Sequence, residues 1–86
     1  MHIHWMVVMT ALSLSEETMS FAQRLTQLVE ESKHSRTEIA AGVRITLRGL
    51  EYLMQGKRTP RAYVLCAAAD WFGVSTDFLL GRTEER

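Results

Sequence analysis

The sequence predicts an all-α domain of five short helices, and three observations predict it. Apolar residues recur every three or four positions at Phe21, Leu25, Leu28 and Val29, the period of a helix with one buried face. Hydroxyl side chains stand where helix starts need an acceptor, and Ser20 and Ser35 are each followed three residues later by Gln23 and Glu38. Glycine and the single proline punctuate the chain at Gly56, Pro60 and Gly73, where helices are expected to stop or start.

Eighty-six residues make one domain with a modest core. The apolar share of 47% and charged share of 23% place the chain among ordinary soluble globular proteins. Cys66 is the only cysteine, which excludes an internal disulfide and cysteine-rich zinc sites and fits a reducing cytoplasm. A cytoplasmic location is therefore expected. The apolar start is too short for a membrane span and lacks the basic flank and cleavage site of a signal peptide.

The elements follow in order. Residues 1–19 form an extension; its part Met1–Leu14 (MHIHWMVVMTALSL) is uncharged and without a helical stripe. It reads as a strand, a dimerisation arm or a disordered tail. His2 and His4 lack carboxylate or thiolate company, so no metal site is expected there. The domain proper spans 20–82. Helix 1 begins after Ser20, with Glu16 and Glu17 ahead of its positive end, and fades near Ser32. Lys33-His34-Ser35 connects it to helix 2, with His34 in solvent.

Ser35 and Glu38 form a second capping box, opening a helix from Arg36 to about Ala41 that buries Ile39 and Ala40. Ala40 is small enough for a close helix crossing. Gly42 to Ile45 make the turn and Thr46 caps helix 3, about Leu47 to Gln55, with Leu50 and Leu53 inward. Gly56 suits a left-handed helix end, and Pro60 suits the first turn of helix 4. Helix 4 (RAYVLCAAADWF) is expected to bury Ala62, Leu65, Ala69 and Phe72, with Cys66 and Ala68 alongside as small core residues. Gly73 stops it, Ser75 caps helix 5, and Phe78, Leu79 and Leu80 give that helix its apolar side. Residues 83–86 are a polar tail.

The formal net charge is zero, yet its distribution is lopsided. Between Lys33 and Arg61 seven bases meet two acids, a net +5, so the remainder carries −5. A basic strip on an acidic molecule is the footprint of a phosphate-binding face. Nothing supports catalysis: there is no phosphate-cradling glycine loop, no paired carboxylate in a plausible cleft and no nucleophile with a base in reach. The chain is expected not to be an enzyme and to need no cofactor.

Arg36 to Pro60 reads as two short helices, a tight turn, and a glycine-basic-basic exit, the pattern of a helix-turn-helix. With FAQRL in helix 1, TEIA in helix 2, the step from Ala40 to Gly56, GKRTP and WFGVSTDFLLG, the chain resembles the Cro/C1-type helix-turn-helix family, also called XRE regulators. The resemblance covers about Phe21 to Gly81 and implies a lambda repressor-like five-helix fold. It departs at Arg44, where the family has glycine in the turn, and at Met54, where many members have glutamate. Gly49 is an unusual residue inside a recognition helix.

The resemblance implies a cytoplasmic DNA-binding transcriptional regulator of phage or bacterial type, a repressor that binds a palindromic operator as a homodimer. By it, helix 3 enters the major groove of double-stranded DNA. Thr46, Leu47, Arg48 and Tyr52 would meet bases, with Arg48 able to donate two hydrogen bonds to guanine. Arg36, Arg44, Gln55, Lys57 and Arg58 would meet phosphates. The dimer would form through the apolar extension or through the exposed side of helices 4 and 5 at Trp71, Phe78 and Leu80. The family also includes antitoxins, so an alternative is a protein-interaction module whose apolar extension binds a toxin and which represses its own operon.

Overall fold

The computed structural model describes residues 21–86, and every regular element among them is helical. The expectations placed on Met1–Leu14, on His2 and His4, and on the Ser20 cap lie outside the described residues. α1 covers residues 21–31, α2 Arg36–Val43, α3 Leu47–Met54, α4 Ala62–Phe72 and α5 Thr76–Leu79. α2 packs against both α3 and α4, and α4 against α5. None of these helices is long and apolar enough to cross a membrane.

The core draws on all five helices. Phe21, Leu25, Leu28 and Val29 of α1 meet Ile39, Ala40 and Val43 of α2, Leu50 and Leu53 of α3, and Phe78 and Leu79 of α5. Leu25, Ile39, Leu50 and Leu79 are 0–1% exposed, each contributing about 1.5–3 kcal/mol of burial. No polar or charged side chain is buried among the described residues, so the core carries no desolvation debt.

Three starts are capped as the sequence predicts. The hydroxyls of Ser35, Thr46 and Ser75 accept from the backbone N–H of Glu38, Gly49 and Phe78. The ends of α2 to α5 share one pattern, in which a left-handed residue turns the chain and two N–H groups return to carbonyls of the last turn. Glycine holds that place at 56, 73 and 81, and Arg44 holds it after α2, with φ 67.

The differences from expectation have local causes. α2 is two residues longer than expected and includes Gly42, a residue expected in the turn. A Cβ at Gly42 would collide with Cε3 and Cζ3 of Trp71, so this glycine lets the indole lie against α2. Its helical cost of about 1 kcal/mol relative to alanine goes with that contact. α3 ends at Met54, and Gln55 is its cap. Pro60 precedes helix 4 rather than opening it, because Arg61 is extended, with φ −75 and ψ 157.

α4 is rotated relative to its expected face: Val64, Ala68 and Ala69 are buried, whereas Ala62 and Cys66 are exposed. Seven of the eight residues from Ala62 to Ala69 are aliphatic or cysteine and the eighth is Tyr63, so no polar contrast sets the phase. Cys66 is therefore not a core residue. Phe78 is buried rather than part of an exposed side, and the polar tail is tied back over it. Guanidinium groups of Arg24 and Arg86 lie 4.2 and 5.2 Å from the Phe78 ring centre. Arg24 pairs with Glu84 at 3.0 Å and Arg86 with Glu31 at 3.0 Å, joining the tail to α1. The Arg86 hydrogen bonds, then that of Gln27, hold the Glu31 carboxyl below its ordinary range.

Candidate nucleic-acid interface

The site begins at the Ser35 cap. Ser35 N–H donates to Glu38 Oε1 at 3.2 Å while the Ser35 hydroxyl accepts from Glu38 N–H at 3.1 Å. That backbone bond, then the His34 ring 3.3 Å away, holds the Glu38 carboxyl below its ordinary range. The box fixes where α2 starts, and so places Arg36 on its first turn, exposed. Arg36 reaches across to Glu51 of α3 at 3.7 Å. Both partners are near half exposed, so the pair steers Arg36 more than it stabilises the fold.

The turn between α2 and α3 is short because Arg44 is left-handed. Ile45 N–H then donates to Ala40 O at 2.9 Å, and Ile45 packs at the edge of the core. Thr46 follows as the α3 cap: its Oγ accepts from Gly49 N–H at 2.9 Å, which leaves the hydroxyl proton free to donate. A Cβ on residue 49 would stand 3.1 Å from that oxygen, so the glycine inside α3 gives the cap room. Pattern reading offered no such reason for Gly49.

α3 buries Leu50 and Leu53 and leaves Leu47, 41% exposed, and Arg48 outward at its start. Tyr52 is half-buried, with Lys57 Nζ 5.8 Å and the Arg58 guanidinium 5.2 Å from its ring centre. The ring gathers two cations at the end of α3, a contact worth about 0.5–1 kcal/mol each at exposed sites.

A cleft of about 670 Å³ separates the α2–α3 turn from the chain leaving α3, with Arg44, Thr46, Arg58, Arg61 and Tyr63 among its walls. Two expected phosphate contacts, Arg44 and Arg58, thus share one cavity with Thr46. Gln55 does not join them; it borders a groove along α1 with Gln23, Gln27 and Glu30. Arg61 belongs to the cleft although the motif assigned it no role. Its signal in the sequence is its place at the end of the basic strip that begins at Lys33.

Ion pairing among the described residues sharpens the charge pattern. Glu31 of α1 pairs with Arg86, Glu84 of the tail with Arg24, and Arg36 with Glu51. Arg44, Arg48, Lys57, Arg58 and Arg61 have no carboxylate partner within 4.0 Å among the described residues. The chemistry this supports is multivalent anion binding. No protein-family model, curated protein or solved structure matches the chain.

Proposed function

We propose that the chain is a sequence-specific DNA-binding regulator, a repressor acting as a homodimer on a palindromic operator. In this reading α2 and α3 are a helix-turn-helix within a lambda repressor-like domain. α3 enters the major groove, with Arg48, Leu47, Thr46 and Tyr52 toward base edges. Arg36, Arg44, Gln55, Lys57 and Arg58 follow the phosphates. One observation carries the proposal: five cations with no counter-ion among the described residues lie on or beside the helix whose outward residues are exposed. Such a grouping suits a partner that supplies the missing negative charge.

The test is binding-site selection from random duplex DNA at two salt concentrations. The expected result is a palindrome with half-sites about 34 Å apart and an affinity that falls steeply with salt. Arg48→Ala is expected to cost about 1–3 kcal/mol on the selected site and to relax preference at one base pair. Selection that yields no consensus refutes the regulator. A uniform loss for Arg48→Ala on every sequence refutes its base-reading role.

A further inference from the structure

The cleft between the α2–α3 turn and the chain leaving α3 is larger than contact with a duplex requires. A phosphate of the DNA backbone meets a protein from outside and needs no cavity, whereas about 670 Å³ is the size of a small-ligand site. Three guanidinium groups line it, those of Arg44, Arg58 and Arg61, and no carboxylate of the described residues does. Arg44 is placed there by its left-handed backbone, and Arg61 by the extended backbone ahead of α4, where it makes no side-chain capping bond. The Thr46 hydroxyl stands in the same wall with its proton free to donate, since its oxygen accepts from Gly49 N–H. The floor is apolar, because Leu53 and Val64 border the cleft and are buried. Tyr63 is 64% exposed at the rim and, among the described residues, stacks on no other ring and no cation.

We propose that this cleft binds a free nucleoside diphosphate, which competes with DNA for the same arginines. Charge selects the phosphate part of the ligand. Planar guanidinium groups donate pairs of parallel hydrogen bonds to phosphate oxygens. Three of them match the charge of about −3 on a diphosphate, whose terminal group has its second pKa near 6. A single inorganic phosphate leaves part of that positive charge unmatched, and a cationic ligand finds no acid in the walls. The rim selects the rest, because the open face of Tyr63 is a surface on which a base stacks. Binding of the nucleotide stands on the cleft alone, while its effect on DNA rests on the proposed function. In that reading Arg44 and Arg58 follow phosphates and Thr46 faces a base edge. An occupied cleft withdraws all three from the duplex, so the diphosphate releases the operator.

The test titrates the full chain with adenosine diphosphate, inorganic pyrophosphate and adenosine by calorimetry, without divalent cations. Adenosine diphosphate is expected to bind once per chain, about fivefold or more tighter than pyrophosphate. Adenosine is expected to bind about tenfold or more weaker than the diphosphate. Arg61→Ala should weaken both phosphate ligands by about tenfold. Tyr63→Ala should bring adenosine diphosphate down to the level of pyrophosphate, and Tyr63→Phe should restore it, which separates lost stacking from lost folding. Arg48 lies outside the cleft, so Arg48→Ala should change nucleotide affinity by no more than about twofold. No binding at about 1 mM overturns the proposal, as does equal affinity for adenosine diphosphate and pyrophosphate. Equal losses for Arg48→Ala and Arg61→Ala overturn it too, because the attraction is then diffuse. On the selected duplex, adenosine diphosphate is expected to lower DNA affinity at constant ionic strength; both ligands bound together without loss overturns the competition and the proposal with it. A chain that binds the nucleotide but no DNA sinks the regulator and keeps the site, while a DNA-binding chain that ignores the nucleotide does the reverse.

Discussion

Arg44 is the position where backbone strain and proposed function can be separated. α3, α4 and α5 turn on glycines with φ 73, 66 and 76, and α2 makes the same turn on Arg44 with φ 67. A left-handed conformation costs an L-residue roughly 1–2 kcal/mol, which glycine escapes. Glycine instead loses about 0.5–1 kcal/mol more conformational entropy on folding. The difference predicts that Arg44→Gly stabilises the domain by about 0.5–1 kcal/mol. For a domain of this size that raises Tm by about 2–8 °C. The arginine side chain is exposed and has no carboxylate partner among the described residues, so its loss subtracts little. Thermal unfolding followed by far-ultraviolet circular dichroism measures the shift. Arg44→Ala is the control: it removes the same side chain but keeps the strained backbone, and its Tm should stay near that of the parent. An unchanged or lowered Tm for Arg44→Gly, or an equal gain for Arg44→Ala, refutes the strain argument. On DNA the two variants should behave alike, each losing about 0.9 from the salt slope if the guanidinium meets a phosphate.

Gly42→Ala gains about 1 kcal/mol of helix propensity but drives a methyl into the Trp71 ring, and is expected to destabilise by about 1–2 kcal/mol net in urea unfolding. In a Trp71→Ala background the same change should stabilise; a loss there places the cost elsewhere than the indole. Glu51→Gln frees Arg36 from its pair and removes a carboxylate from the α3 face, so affinity should rise for related and unrelated duplexes alike in a titration, narrowing specificity. A gain confined to the selected site argues against that. Glu38 and Glu31 both have lowered folded-state values, so their contribution is present above the ordinary carboxylate range near pH 4.3 and is lost as pH falls through those lowered values. Glu38→Gln keeps a side-chain acceptor in the capping box while removing the charge, and should flatten the acid limb of a stability–pH curve. An unaltered limb assigns the acid sensitivity to other groups.

What the sequence made legible follows from how local each signal is. Ser35, Thr46 and Ser75 were readable as caps because a cap is decided within four residues, and Leu25, Leu28, Leu50 and Leu53 because polar neighbours mark their faces. α4 was misphased because Ala62 to Ala69 offers no such contrast, and its orientation comes from what it packs against. The same distance effect hid Gly42. Its neighbours suggest a turn, and only Trp71, 29 positions later, explains why a helix carries glycine there. Arg44 was legible as an oddity, while its left-handed geometry needed the bonds from Ile45 to Ala40 to become a definite statement. Within the site, the exposure of Leu47 and Arg48 followed from helical period. The gathering of Lys57 and Arg58 on Tyr52, and of Arg44 with Arg61 across one cleft, depended on chain path.

The folded chain preserves the charge separation that its neutral total conceals. Exposed like charges repel, so five cations around α3 with no carboxylate partner among the described residues lower the stability of the free domain. Stability alone would favour interleaving them with the eight acids that lie outside the Lys33–Arg61 strip. Of those acids, Glu31 and Glu84 are engaged instead by Arg86 and Arg24 at the α1–tail junction, remote in sequence from the strip. The single acid that pairs across α2 and α3 is Glu51, and it holds Arg36 rather than any of the five. Pairing among the described residues therefore ties the tail to α1 and leaves these five cations around α3 without a carboxylate. A polyanion bound along the turn, the start of α3 and its basic exit would turn the repulsion that burdens the free domain into attraction in the complex.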